Sequence, residues 1–237
     1  VRRRDPLCIQ SRRYIVAPKQ IASACLEVFA NQRAYESPHK HMIQNLQLTE
    51  FSELSVSKSL LEGIPKDWGF YVSNSLPVRH LDALSTQECP VEVNRGVNGI
   101  DGTIASALGY AFGNDKPQVL LIGDLAFLHD MSSLQMVTKQ KTPLIIVVIN
   151  NKGGGIFCFL PVAKEEDVFQ EFFTTPHEES IEGVCCSFKL PYFLTETLEE
   201  FSAVLRGLET EPSSTVIEVQ VERSHTVASY QHIHEEL

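Results

Sequence analysis

Two apolar runs, each broken off by polar residues, constrain this chain more than any other feature. Val119-Leu120-Leu121-Ile122 leads into Gly123-Asp124-Leu125, and Leu144-Ile145-Ile146-Val147-Val148-Ile149 leads into Asn150-Asn151-Lys152-Gly153-Gly154-Gly155-Ile156-Phe157. Apolar runs without polar alternation predict strands buried on both faces, as in a parallel sheet. An acid closes the first strand and an amide pair closes the second. Neighbouring strands of an open α/β sheet bring such C-terminal ends together where ligands bind. A carboxylate, an amide oxygen and a backbone carbonyl freed by a glycine turn suit a hard cation, Mg²⁺ or Mn²⁺, which keeps oxygen positions for phosphates. The stretch predicts a metal–diphosphate site with Asp124, the Asn151 side chain and the Gly153 carbonyl as ligands. Asp124 also reads as the cap of the helix that follows, and the three glycines as a mobile loop tip. The Asn-Asn partner favours the metal reading.

The bulk numbers exclude more than they assign. A chain of 237 residues holds one large domain, or one domain and part of a second. A formal charge of −10 and a pI near 5.3 argue against nucleic acid as the main partner. No apolar run approaches the ~20 residues that span a bilayer. The six cysteines (Cys8, Cys25, Cys89, Cys158, Cys185, Cys186) show neither zinc spacing nor a secreted disulfide pattern. They point to a reducing compartment: the cytoplasm, or the plastid stroma in a photosynthetic eukaryote. Cys185 and Cys186 fall in a predicted helix and are expected to be buried thiols. The chain opens on Val1, with Arg2, Arg3, Arg4, Arg12 and Arg13 close behind. This reads as a cut between domains more readily than as a basic targeting arm.

Helices are predicted at Gln20–Gln32, at Leu48–Gly63 with Gly63 past the helix end, and at Val78–Leu84 capped from Ser73-Asn74-Ser75. Residues 37–41 read as a linker. Helices follow at Asp101–Phe112, Met131–Gln140, Ile181–Phe188 and Leu198–Leu208. Strands are predicted at Trp68–Val72, Pro90–Val93, Val119–Ile122, at the run ending in Ile149, at Tyr192-Phe193 and at Thr215–Val221. This alternation predicts an α/β fold, a mostly parallel sheet with helices on both faces. Residues 1–45 are expected to be the tail of a preceding domain, and 46–237 a diphosphate-binding domain.

A nicotinamide-binding fingerprint needs Gly-x-Gly-x-x-Gly after the first strand. The nearest candidate, Arg95-Gly96-Val97-Asn98-Gly99-Ile100-Asp101-Gly102, spaces its glycines three apart and does not meet it. Gly-Asp-Leu followed by Asn-Asn resembles instead the cofactor signature of thiamine-diphosphate enzymes. Within that group, Asn94-Arg95-Gly96-Val97-Asn98-Gly99-Ile100-Asp101-Gly102 resembles the MenD family, the 2-succinyl-5-enolpyruvyl-6-hydroxy-3-cyclohexene-1-carboxylate synthases of menaquinone and phylloquinone synthesis. Ser73-Asn74-Ser75-Leu76-Pro77-Val78-Arg79 and Leu160-Pro161 agree, so the resemblance runs over about residues 48 to 221. Other thiamine-diphosphate lyases and synthases, such as the acetolactate-synthase group, share the metal signature but not the Arg-Gly-Val-Asn-Gly-Ile-Asp-Gly run. A non-catalytic cofactor-binding or interaction domain is the other alternative.

The resemblance implies a transferase that uses thiamine diphosphate and Mg²⁺, decarboxylates 2-oxoglutarate and joins the remainder to isochorismate. It implies three domains: one for the aminopyrimidine, a middle one, and one for the diphosphate, to which the matching runs belong. The pyrimidine-binding domain carries the family's activating glutamate. No acid here matches that motif, so no catalytic residue is assigned and the chain alone is expected to be inactive. The family's site lies between domains of two subunits, which implies a homodimer or homotetramer.

By the same resemblance the cofactor contacts are Asn98, Gly99, Ile100, Gly123, Asp124, Leu125, Ala126, Asn151, Gly153, Gly154, Ile156, Phe157 and Leu160. Ile100 would prop the cofactor in its bent form, or be an ordinary core isoleucine. Ala126 stands where the family often has serine, and Gly155 where it often has a polar side chain. Ser75, Arg79 and Arg95 are the candidates for the carboxylated substrates, because arginine clamps carboxylate in a bidentate fork. Either arginine could instead be a solvated surface charge. His129, His177, His225, His232 and His234 lack metal spacing and receive no role.

Overall fold

The computed structural model describes residue 48, residues 51–84 and residues 91–236, with side chains to Gln231. These all fall in one compact unit, Pro38–Leu237. The expected helix at 20–32 and linker at 37–41 lie outside the described residues. Elements below are numbered among the described residues.

Six strands form one sheet: β1 (Gly69–Val72), β2 (Val91–Val93), β3 (Gln118–Gly123), β4 (Leu144–Asn150), β5 (Tyr192–Thr195) and β6 (Thr215–Gln220). Their order is β2-β1-β3-β4-β6-β5, and every adjacent pair is parallel. Val119 and Leu121 of β3, with Ile145 and Val147 of β4, point to one face. There they meet helix α1 (Glu53–Gly63), α2 (Leu76–Leu84) and α8 (Leu198–Thr210). Leu120 and Ile122, with Leu144, Ile146 and Val148, point to the other face. They meet α3 (Thr103–Asn114), α4 (Asp124–His129), α5 (Leu134–Val137) and α7 (Ile181–Phe188). Both apolar runs are buried on two faces because helices cover both sides. Helix α6 (Glu166–Phe172) follows β4, and α9 (Arg223–Glu236) ends the described chain.

Several boundaries moved for local reasons. Helix α1 starts on Ser52, whose hydroxyl accepts from the Ser55 N–H in a reciprocal capping box. Gly63 is its last helical residue, and Ile64 in extended conformation ends it, so Gly63 is not the left-handed residue past the end. Helix α3 starts at Thr103 because Gly102, at φ 65°, turns the chain. Its orphan N–H groups are satisfied from afar, since Asp130 Oδ2 accepts from Ile104 N (2.7 Å) and Ala105 N (3.2 Å). The predicted helix Met131–Gln140 is a 3₁₀ turn, Met131–Ser133, running into the four-residue α5. Cys185 is buried but Cys186 on the next position of α7 is exposed, against the expectation for both. Among the described residues, no helix is long and apolar enough to cross a membrane.

Candidate active site

Chain order places the crevice. The chain steps from β1 outward to β2, then returns to the far side of β1 as β3. The loops leaving β1 and β3 therefore diverge, which opens a crevice at their C-terminal ends. A cavity of about 520 Å³ lies there, walled by the segments after β1, β3 and β4 and by Glu53, Arg95, Asn98, Ile100, Phe172, Phe173 and Thr175. The sequence placed the metal and diphosphate contacts at the ends of β3 and β4 and substrate contacts at Ser75 and Arg79 after β1; all three ends wall the cavity.

Asp124 is the first residue of α4 and is 2% exposed. Its side chain does not cap the helix; Gly123 holds that position without a side-chain bond. Oδ2 accepts from Gly153 N (2.9 Å) and Oδ1 from Leu125 N (2.7 Å). His177 Nε2 lies 3.2 Å from Oδ2, although neither ring nitrogen makes an aligned hydrogen bond. Burial pushes the Asp124 carboxyl above its ordinary value, against the pull of the Gly153 N–H, His177 and the Leu125 N–H. Keeping it ionised in this setting is costly, and a cation beside it would offset that cost.

The amide pair divides its labour. Asn150 serves the sheet: its Nδ2 donates to Glu218 Oε1 (2.6 Å), and its Oδ1 accepts from Lys152 N (3.1 Å). Asn151 faces the cavity. Its Nδ2 donates to Glu53 Oε1 (2.8 Å), while its Oδ1 is buried without any hydrogen-bond partner. A buried amide oxygen left unpaired is costly, and a cation in the cavity would satisfy it. Asp124 and Asn151 thus fit a Mg²⁺ or Mn²⁺ site. Among the described residues no cluster of three His, Cys, Asp or Glu could hold a metal. One carboxylate, one amide oxygen and a carbonyl therefore depend on diphosphate oxygens and water to complete six-coordination.

The third proposed ligand, Gly153, is engaged on both sides of its backbone, and its carbonyl oxygen keeps a second lone pair. Gly153 meets Asp124 through its N–H, while its carbonyl accepts from Gly155 N (3.0 Å). The glycine run is packed, which corrects the reading of a loop tip. At Gly153, φ is 134° and a Cβ would strike the Thr174 carbonyl; at Gly154 it would lie 2.8 Å from the Phe173 carbonyl. At Gly155 it would lie 2.6 Å from Asn151 Nδ2, so a larger residue there would push Asn151 aside. We expect Gly153→Ala to cost about 1–3 kcal/mol through the disallowed φ and the carbonyl clash, read as a lower urea midpoint. An unchanged midpoint would mean that this loop adds nothing to global stability.

Around the cavity the remaining expected residues divide. Asn98, Ile100, Gly123, Leu125, Ala126, Gly154, Ile156 and Phe157 line it. Gly99 does not; its carbonyl instead accepts from Asn74 Nδ2 (2.7 Å). Leu160 does not either, being 47% exposed at the start of a 3₁₀ turn. Ser75, Arg79 and Arg95 are at the cavity wall. Both arginines are exposed but anchored: Arg79 Nη1 donates to the Ser75 carbonyl (2.6 Å) and Arg95 Nη1 to Asn74 Oδ1 (3.3 Å). Asn74 was expected to cap α2; it is buried and ties the end of β1 to the 94–99 loop through the Asn94 and Gly99 carbonyls. Three of the six non-glycine residues with positive φ among the described residues, Ser75, Asn98 and Thr175, line the cavity. Such strain collects where a fold must hold a functional shape.

Sequence reasoning missed Glu53, His177 and the Phe172–Thr175 wall. Glu53 reads as one more polar position of the predicted helix Leu48–Gly63, and His177 has no partner at any regular spacing. Only the packing of distant loops brings them in.

Comparisons agree with this geometry. Residues 85–219 match the family model described as thiamine pyrophosphate enzyme, C-terminal TPP binding domain. The chain is 37% identical over 190 residues to 2-succinyl-5-enolpyruvyl-6-hydroxy-3-cyclohexene-1-carboxylate synthase of Prosthecochloris aestuarii, covering 78% of this chain and 33% of the relative. It is 39% identical over 191 residues to the enzyme of that name from Chlorobium phaeobacteroides, again covering 78% and 33%. It therefore spans about a third of the length of these curated relatives. In fold it is similar to benzoylformate decarboxylase from Polynucleobacter necessarius, with a TM-score of 0.67 at 20% identity over 76% of this chain and 35% of that one. A parallel six-stranded sheet, an acid and an amide oxygen buried at its switch point, and a family model matched across most of that sheet place this chain among the thiamine pyrophosphate enzymes, as their C-terminal cofactor-binding domain.

Proposed function

We propose that this chain is the diphosphate-binding part of a thiamine-diphosphate-dependent 2-succinyl-5-enolpyruvyl-6-hydroxy-3-cyclohexene-1-carboxylate synthase. On this reading residues 46–237 form the diphosphate domain and residues 1–45 the tail of the preceding one. The observation that carries the reading is the convergence of Asp124 and the unpaired Asn151 Oδ1 on a cavity whose rim holds Arg79 and Arg95. Identity of 37–39% to synthases of that name supports the substrate assignment, 2-oxoglutarate and isochorismate. An acetolactate-synthase-like reading shares the metal pair but leaves two arginines at the rim without a task.

Bound thiamine diphosphate supplies the electron sink for decarboxylation and carbon–carbon bond formation. The chain's own residues hold and shield it. Asp124 and Asn151 would bind the cation that neutralises the diphosphate, and the packed 153–155 backbone would let phosphate oxygens approach closely. Ile100, Ile156 and Phe157, each half-buried, form an apolar wall that excludes water. Arg79 and Arg95 would orient substrate carboxylates at the rim. On this reading a pyrimidine-binding domain of the same or a neighbouring subunit completes the site in a homodimer or homotetramer. The assembly would work in the cytoplasm, or in the stroma of a plastid.

The test is a chimera in which this chain replaces the matching third of the Prosthecochloris aestuarii synthase. With Mg²⁺ and thiamine diphosphate, it should consume 2-oxoglutarate and isochorismate, whereas the isolated chain should bind cofactor weakly and turn nothing over. A folded, cofactor-loaded chimera that prefers pyruvate and ignores isochorismate would refute the substrate assignment.

A further inference from the structure

Glu53 is the most unusual group near the cavity that the reading above leaves without a task. It opens α1, yet it is 1% exposed and forms part of the cavity wall. Oε1 accepts from Asn151 Nδ2 (2.8 Å) and from Thr226 Oγ1 (3.2 Å). Oε2 is 3.0 Å from Nε2 of His80, a fully buried residue of α2. His80 Nδ1 lies 2.9 Å from the Tyr230 hydroxyl on α9. One carboxylate therefore gathers three helices and one residue of the cavity floor. Despite its burial, which alone would raise it, the Glu53 carboxyl is held below its ordinary value by His80, Asn151 and Thr226.

A carboxylate only accepts hydrogen bonds. Facing Glu53, the Asn151 amide must therefore present its nitrogen to Oε1. Its oxygen is then the end turned away, and that oxygen has no partner in the protein. A free asparagine amide has two orientations of similar steric fit, and only one of them offers oxygen to a cation. We propose that Glu53 is a positioning residue: it fixes the Asn151 amide so that Oδ1, not Nδ2, faces the diphosphate-bound cation. This rests on the reading of the cavity as a metal–diphosphate site.

A purely structural Glu53 would matter only for holding α1, α2 and α9 together. Exchanging donor and acceptor separates the two roles. In Asn151→Asp, two carboxylates face each other at the present 2.8 Å contact, and the site is disturbed. In Asn151→Asp with Glu53→Gln, the glutamine amide nitrogen donates to the new carboxylate. Its oxygen accepts from His80, and the second aspartate oxygen is again free for the cation.

Mn²⁺ binding to the chimera described above is followed by electron paramagnetic resonance in the presence of thiamine diphosphate, with thermal unfolding recorded in parallel. Asn151→Asp alone should weaken Mn²⁺ binding by about tenfold or more, and the exchanged pair should return to within about threefold of wild type. Glu53→Leu, which removes the acceptor, should lose about tenfold as well; where that variant does not fold, the exchanged pair decides. A pair as weak as Asn151→Asp, or a folded Glu53→Leu that binds Mn²⁺ like wild type, overturns the positioning role. Asp124→Ala identifies which reading has failed. If it binds Mn²⁺ as wild type does, the metal site itself is misplaced and the role of Glu53 falls with it. If it loses Mn²⁺ while either overturning result is found, only the role of Glu53 falls.

Discussion

Replacing Asp124 with alanine is expected to abolish Mg²⁺-dependent binding of thiamine diphosphate while leaving the sheet intact. From the end of β3 its carboxylate accepts from Gly153 N in the turn after β4, and burial already disfavours its charged form. Folding therefore gains from removing the charge, and that gain is set against the loss of the bonds to Gly153 N and Leu125 N. Cofactor binding has no such compensation. Removing one partner of a buried charge pair costs about 3–5 kcal/mol, which is more than about a hundredfold in affinity. Calorimetric titration of cofactor into the chimera and its Asp124→Ala variant, with Mg²⁺ and with a chelator, measures it directly. Equal affinity with unchanged metal dependence would place the cation elsewhere. Asp124→Asn is expected to fall between the two, because an amide oxygen can replace one ligand atom but not the charge.

Much of the fold was legible because two-sided burial leaves a signal that needs no partner. Leu144 to Ile149 is apolar throughout, and in the sheet all six residues are buried between helices. Two helices left no such trace. Asp124–His129 is only six residues long and begins on the residue whose side chain serves the cavity. Arg223–Glu236 is longer but polar, with no clear apolar stripe, yet it delivers Thr226 to Glu53 and Tyr230 to His80. At the site, the sequence identified residue types and missed their partners. Asp124 and Asn151 stand out as strand-ending polar residues. That Gly153 would meet Asp124 through its N–H, and that Glu53 would orient Asn151, depends on loops separated widely in sequence. Leu160 shows the converse: a run resembling a family signature does not place every member of the run at the cavity.

The arginines offer the second large effect, and it should fall on the substrate side. Arg79→Ala and Arg95→Ala, each made in the active chimera, are expected to lower kcat/KM for 2-oxoglutarate or isochorismate and to leave cofactor affinity nearly unchanged. Both side chains are exposed where they line the cavity, and their hydrogen bonds run to Ser75 and Asn74. They are nevertheless held in place. Arg79 is tied to the carbonyl of Ser75, itself in a left-handed conformation at φ 71°, and Arg95 to Asn74, which joins β1 to the 94–99 loop. An ordinary surface arginine pays side-chain entropy to adopt one geometry; these two begin partly ordered. Loss of one charge-assisted contact to a carboxylate costs about 1.5–3 kcal/mol, or about tenfold to over a hundredfold in kcat/KM. Lysine at either position should recover only part of it, because a point charge cannot reproduce the bidentate fork. Steady-state kinetics with each substrate varied in turn would assign the arginines separately, one to each carboxylated partner or both to the same one. If both alanine variants lose cofactor affinity while turnover on bound cofactor survives, the rim belongs to the diphosphate and the substrates must be held from elsewhere.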